Sequence, residues 1–319
     1  MSAGREKVGA PVAETNSEIA AADVPVAPVV PAAVPASVST WARLRRNPVA
    51  FGSLILLVFL LLIALFAPLL APYPFAKQVL EDKTQGPSAL HRLGTDELGR
   101  DTLSRLMYGA RISLMVAVSV EFFVVVLGLI VGLSAGFFGG WLDSALMRFT
   151  DVMLAFPDVL LAILLLGTLG TTSATPEKSL ALVVVALGIT GWPPLARLVR
   201  GQVLTLRKRE FVEAARAMGA QNSRILTRHI LPNLLSPILV AVTVDTAGVI
   251  LAEATLSFLG IGVQAPYPSW GRMIHDALEY YRSEPRLLLV PSIMLSLTVL
   301  ALNFLGDGLR DALDPRSRR

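Results

Sequence analysis

Six stretches of this chain, residues 50–70, 112–138, 152–169, 179–196, 234–259 and 287–306, run for 18 residues or more with at most two charges in each. About 20 apolar residues in a helix cross the roughly 30 Å hydrocarbon core of a bilayer. No water there satisfies a stray backbone group, so only helices and closed barrels span it. Runs of this length predict helices, and the chain reads as an all-α polytopic membrane protein with about six transmembrane helices. Composition agrees: 16% of residues are charged and the mean hydropathy is +0.62, against roughly 25% charged residues in soluble domains. The first, fourth and sixth runs carry no charge, the second holds Glu121, the third Asp158 beside Pro157, and the fifth Asp245 and Glu253.

The remaining segments divide the chain. Residues 1–40 are rich in Ala, Pro and Val, and repeated prolines deny a chain regular hydrogen bonding, so a disordered tail is expected. Residues 41–71 form the first transmembrane helix behind a basic flank (Arg43, Arg45, Arg46). That run is too long for the apolar core of a signal peptide. Residues 72–110 form an extracytoplasmic segment, 111–306 a transmembrane core with a loop at 197–233, and 307–319 a terminal tail. Lys and Arg are enriched on the cytoplasmic side of membrane proteins. The side with the first basic cluster, Arg148, the 197–228 loop and the C-terminal tail holds sixteen, and the other holds ten. Both termini and the loop are therefore expected in the cytoplasm of a cell-membrane protein.

Several chemistries find no support. No G-x-x-x-x-G-K-[ST] phosphate loop and no Gly-Lys pair occurs, so nucleotide hydrolysis by that route is excluded. Cysteine is absent, and His91, His229 and His275 lie far apart, so no metal site is expected. Basic runs interleaved with aromatics are lacking, which argues against nucleic acid. The chain is read as a non-enzymatic protein without a cofactor of its own, with membrane lipid as its surroundings. A self-sufficient secondary transporter stays open on the intramembrane acids, although no repeat of the kind such transporters use is visible.

The loop at 210–233 reads EFVEAARAMGAQNSRILTRHILPN. Phe211, Ala214, Ala215 and Met218 recur at helical spacing, which predicts a short amphipathic helix. Gly219 permits the left-handed residue that ends such a helix. Asn222 or Ser223 is placed to cap a second helix, with Pro232 expected to stop it. From pattern alone, this knob either transmits force from a partner or lies on anionic headgroups.

The same stretch resembles the EAA motif of binding-protein-dependent ABC importer permeases, carried here by Glu213, Ala214, Ala215, Gly219, Ile230, Leu231 and Pro232. Residues 93–114, 250–271 and 305–316 resemble segments of the dipeptide/oligopeptide (nickel) subfamily, in particular its shorter C-type permease. Glu121 departs from that pattern, which has an apolar or small residue there. The resemblance covers about residues 42–316. It implies a type I importer permease core working by alternating access, with the EAA loop coupled to an ATPase. The implied partners are a B-type sibling permease, two ATPase subunits that bind ATP and Mg, and an extracytoplasmic substrate-binding protein. Di- or oligopeptides are the implied cargo; nickel or another small solute, and export by the same architecture, stay open.

Acids within spans are costly and normally face protein or water, so Asp245 and Glu253 are candidates for the translocation path. Asp158 is placed to use a backbone amide at a helix start. The segment GTDELGRD at 94–101 offers too few oxygens for calcium and predicts a tight turn before an interfacial helix. Pro266, Pro268 and Trp270 predict a stiff outer loop, with the aromatic ring at the interface, as a docking surface for the binding protein.

Overall fold

The computed structural model describes residues 40–170 and 175–313. The tail at 1–39, residues 171–174 and residues 314–319 lie outside the described residues, and with them the expectation of a disordered N-terminus. The described regular structure is helical, apart from one isolated bridge between Thr95 and Asp101.

Helix α1 (Thr40–Arg46) leads into α2 (Pro48–Leu70), whose start is set by Asn47: its Oδ1 accepts from the Ala50 amide at 3.1 Å, and Pro48 supplies the first position. Proline fits there because that amide has no helical partner to lose. Next come α3 (Thr102–Phe138), α4 (Gly140–Leu154), α5 (Asp158–Leu169), α6 (Pro176–Leu206) and α7 (Glu210–Ala217). The short α8 (Asn222–Arg224) runs through a π-helical turn, Ile225–Ile230, into α9 (Leu231–Phe258). Then follow α10 (Trp270–Asp276), a 3₁₀ turn (Ala277–Tyr280) and α11 (Pro285–Leu313). Among the described residues five helices are long and apolar enough to cross a membrane, or six if α4 and α5 count as one bent span.

Four expected boundaries move. The span at 152–169 is broken, since α4 and α5 meet at 82°. Pro157 has no amide to continue the first helix and instead precedes the second, where the Val159 amide donates to Asp158 Oδ1 at 2.8 Å. Helix α3 starts at Thr102 rather than 112, and no separate interfacial helix precedes it. The charge that made Arg105 unsuitable for a span is matched by Asp96 at 3.2 Å and Asp276 at 3.4 Å. Helix α6 continues ten residues beyond Ala196 into the expected loop, because Arg200 forms a two-pronged pair with Asp143 of α4 (2.5 and 2.7 Å) and Arg197 meets Asp151 at 2.5 Å. Helix α11 likewise runs on to Leu313, through the first half of the expected tail.

The bundle is organised around α3 against α6. Gly128, Gly132 and Gly136 repeat every four residues and so share one face of α3. A Cβ on Gly132 would stand 2.6 Å from the Ala196 carbonyl oxygen and 2.7 Å from Val199 Cβ, and one on Gly136 2.8 Å from Val203 Cβ. Small residues let backbones approach closely, the main source of helix affinity in lipid. At the far end of this contact, Arg207 Nη1 donates to the Gly136 carbonyl at 2.9 Å.

Gly132→Ala is expected to destabilise the protein by about 1–3 kcal/mol through overpacking. Gly167→Ala, where a Cβ meets nothing within 4 Å, is expected to be close to neutral. Thermal unfolding of the two purified variants in detergent checks this, and equal midpoints would contradict the close approach.

Candidate functional site

The expected coupling element is a knob at the α6–α9 end of the bundle. Helix α7 closes with a Schellman motif: the Ala220 amide donates to Ala215 O and the Gly219 amide to Arg216 O, both at 3.0 Å. Gly219 takes φ +81°, a conformation in which a Cβ is strained. The helix anchors through Val212 (0% exposed) and Ala215, against Ile225 and Ile230 of the π turn. Of the apolar residues at helical spacing, Ala215 is buried, while Phe211, Ala214 and Met218 are exposed, Met218 with 82% of its surface. Glu213, Gly219 and Pro232 are also exposed, Leu231 is half-buried and Ile230 fully buried.

Two expectations for the second half of the knob are corrected. Gln221, not Asn222 or Ser223, occupies the N-cap of α8, and it makes no side-chain cap bond. Pro232 does not stop the helix but lies in the first turn of α9. Wider winding just before it makes this possible: the Leu231 amide reaches back five residues to Leu226 O. The knob is thus continuous with a membrane span rather than hinged to it.

Midway along α9, Asp245 lines a cavity of about 530 Å³ between α3, α6, α9 and α11. Glu121 of α3 lines it too. Both of its carboxylate oxygens are buried, and among the described residues no N–H or alcohol hydroxyl reaches them; the group they meet is the Asp245 carboxyl. The charge that bears on Glu121 is that of Asp245. Sequence reading singled out Glu121 without a role, because the only pointer to Asp245 is their meeting across two helices.

Glu253 is not on this cavity. It is fully buried, two turns further along α9, and accepts from Ser113 Oγ at 3.1 Å and Ser257 Oγ at 2.7 Å. Those hydroxyls accept in turn from the Trp270 and Val263 amides, at 3.3 and 3.0 Å. Glu253 therefore joins α3, α9 and the segment before α10.

The outer loop is also placed differently. Pro266 is exposed, but Pro268 and Trp270 are buried, Trp270 with no exposed surface. Its indole N–H donates to Leu106 O at 3.3 Å, and its ring lies over Gly109, where a Cβ would be 3.1 Å away. The expected interfacial aromatic is a core residue because its one polar atom finds a partner inside. Around it lies a buried ion network. Asp96 receives Arg100 Nε at 2.6 Å and Arg105 Nε at 3.2 Å, and Asp276 receives Arg272 Nε at 2.8 Å. Burial, with the charge of Asp96 added, holds the Glu97 carboxyl above the usual carboxylate range. Asp101 caps α3 through the Ser104 amide at 2.7 Å and meets His91 Nδ1 at 2.9 Å. The expected tight turn at 94–101 is present, with Gly94 and Gly99 at φ +73° and +71°.

Comparison with known proteins is in keeping with this architecture. Residues 128–319 match the family described as binding-protein-dependent transport system inner membrane component, and residues 38–87 match the N-terminal TM domain of oligopeptide transport permease C. The dipeptide transport system permease protein DppC of Alkalihalophilus pseudofirmus is 43% identical over 286 residues, 88% of this chain and 92% of that one. The oligopeptide transport system permease protein OppC of Bacillus subtilis is 41% identical over 287 residues, covering 89% and 92%. The glutathione transport system permease protein GsiD of Pectobacterium atrosepticum is 42% identical over 277 residues, covering 86% and 90%. Among solved structures, a chain of the inward-facing MetNI methionine ABC transporter aligns with TM-score 0.53 at 20% identity, over 66% of this chain and 97% of that one. That likeness concerns the fold.

Two tryptophans at opposite extremes of exposure test the placement of the outer loop. Trp270→Ala is expected to cost about 3–5 kcal/mol, the usual range for a buried aromatic. Trp141→Ala, at a side chain 80% exposed, is expected to cost little. Unfolding midpoints in detergent decide it, and an unaffected Trp270→Ala protein would return that residue to the surface.

Proposed function

We propose, on the premise that the chain belongs to the family of binding-protein-dependent transport system inner membrane components, that it is the C-type permease half of an ATP-driven importer of di- or oligopeptides. In this reading both termini and α7 face the cytoplasm of a multi-pass cell-membrane protein. A B-type sibling completes the pathway, two ATPase subunits bind ATP and Mg and grip the two permeases, and an extracytoplasmic binding protein delivers cargo. Peptide cargo is supported by the relatives, whose names specify dipeptide, oligopeptide and glutathione transport.

The observation that carries the coupling role is the outward apolar stripe of α7. Phe211, Ala214 and Met218 face away from the protein on a helix only eight residues long. An isolated helix of that length is marginal in water, yet this one is fixed by a complete C-cap and two buried anchors. Its exposed apolar face suits a groove on a partner, the common way an amphipathic helix is recognised. Because α7 packs on the turn that continues into α9, closure of the ATPases would move a span rather than a loop.

Glu213→Ala and Gly219→Pro are expected to leave membrane insertion intact while uncoupling hydrolysis from transport. Loss of one docking contact of about 1.4 kcal/mol lowers the docked population about tenfold, so peptide uptake per ATP hydrolysed should fall by about that factor. Reconstituted complexes with the binding protein measure both quantities. Unchanged coupling in both variants would refute the docking role of α7.

A further inference from the structure

The cavity on α9 has walls of unequal character. Pro194, Leu195 and Leu198 of α6 and most of the α9 contribution are apolar; its polar lining residues are Glu121, Asp245 and Asn303. The Asn303 amide nitrogen is committed to Val299 O at 3.0 Å. Among the described residues no Lys or Arg lines the cavity, and Asp158, at the start of α5, adds a third negative charge acting on Asp245.

Glu121 is the decisive residue. It is only 6% exposed, and among the described residues its carboxylate meets no N–H or alcohol hydroxyl, only the carboxyl of Asp245. A buried acid whose one partner is another acid is expensive, because two carboxylates side by side repel one another. The contrast with Glu253 is instructive, because that acid is still more deeply buried but is satisfied by two serine hydroxyls. A purely structural acid resembles Glu253. Glu121 instead faces a partner supplied from outside, and the chemistry that relieves two carboxyls at once is a cation bearing several N–H donors.

We propose that Glu121 and Asp245 form a cation-recognition site within the permease cavity, receiving the terminal ammonium of a peptide as it passes. This rests on the peptide-importer reading and deepens it. The volume of about 530 Å³ lies within the range of small-molecule pockets. An ammonium has three donors and no acceptor, so it satisfies both carboxyls, whereas the peptide's own carboxylate is repelled. The site therefore orients the cargo amine-first toward this subunit. Two carboxyls are too few oxygens for a dedicated calcium or magnesium cage.

The test uses the full complex in proteoliposomes with its binding protein, ATP inside and labelled dialanine as probe. Glu121→Gln and Asp245→Asn are expected to lower maximal uptake about tenfold, the loss for a hydrogen bond to a charged group. The concentration of loaded binding protein giving half-maximal uptake should stay unchanged, since neither residue lies on the outer loop. Glu121→Asp and Asp245→Glu, which keep the charge, are expected to retain most activity. Each neutral variant keeps the side-chain shape and removes one of two adjacent buried charges, so folding should not suffer, and elution of the intact complex in size-exclusion chromatography verifies assembly. Full uptake by both neutral variants would overturn the site while leaving the importer reading intact. So would equal losses in the neutral and the charged variants, which mark a steric role. Wild-type uptake that fails without sodium or a proton gradient would assign the carboxyls to an inorganic ion and overturn the ammonium. Absence of dialanine uptake by an assembled wild-type complex that hydrolyses ATP would sink the peptide reading, and this site with it.

Discussion

In hydrocarbon, apolar side chains gain nothing by leaving lipid, so two helices hold together only as closely as their backbones can approach. Along α3 and α6 that approach is made by Gly128, Gly132 and Gly136, which admit Leu195, the Ala196 carbonyl, Val199 and Val203 into the space a side chain would fill. The other long elements are arranged on this pair: α2 and α9 pack on α3, α5 and α9 on α6, and α11 closes against α2 and α9. Arg207 locks one end of the glycine face, and the buried ion network holds the other end of α3. A stiff central pair is what allows the remaining helices to carry strained or charged features.

The ion network does a different job from the glycines. Arg100, Arg105, Asp96 and Asp276 bring four charges into a nearly closed site. Desolvation cancels much of what their attraction contributes, but removing one partner of such a set costs about 3–5 kcal/mol. The network thus penalises every arrangement in which the turn at 94–101 and α10 are not brought together. Arg286 reinforces this from α11, donating to the carbonyls of Leu93 at 2.9 Å and Gln85 at 2.7 Å. The outer segment is consequently a built cap held by its own ion pairs and hydrogen bonds, and Trp270 and Glu253 belong to it.

What the sequence disclosed follows from which forces are local. Hydropathy alone located five of the spans, since lipid selects on a single property summed over about 20 residues. The EAA-like loop was legible because its helix, glycine stop and partner residues lie within 24 positions. The failures share one cause, a partner distant in the chain. Arg105 and Arg200 looked like span boundaries until Asp276 and Asp143 neutralised them within longer helices. Trp270 matched an interfacial pattern because nothing near it in sequence reveals the Leu106 carbonyl, 164 residues away. The stripe of Phe211, Ala214 and Met218 had the period of a buried face, and periodicity cannot say whether a face is covered by its own chain. Pro157 and Pro232 both stand at helix starts, although the sequence reading ran a span through the first and stopped a helix at the second.

The continuity of α9 links these parts mechanically. Its first turn grows out of the π turn on which α7 rests, its middle carries Asp245, and its last turns hold Glu253 against Ser113 of α3. At 1.5 Å per residue, the helix spans about 40 Å from knob to cap. On the proposed function, Glu253 holds one end to the cap, and displacement at the α7 end would tilt α9 about that anchor rather than slide it. Tilt about the cap changes the α3–α9 spacing least at Glu253 and progressively more toward the knob, and Asp245 faces Glu121 within that widening interval. On the proposed function, the helix a partner grips and the carboxyls that meet cargo are therefore two stations on one lever. Their coupling needs no relay of side chains, because a single hydrogen-bonded helix passes through both.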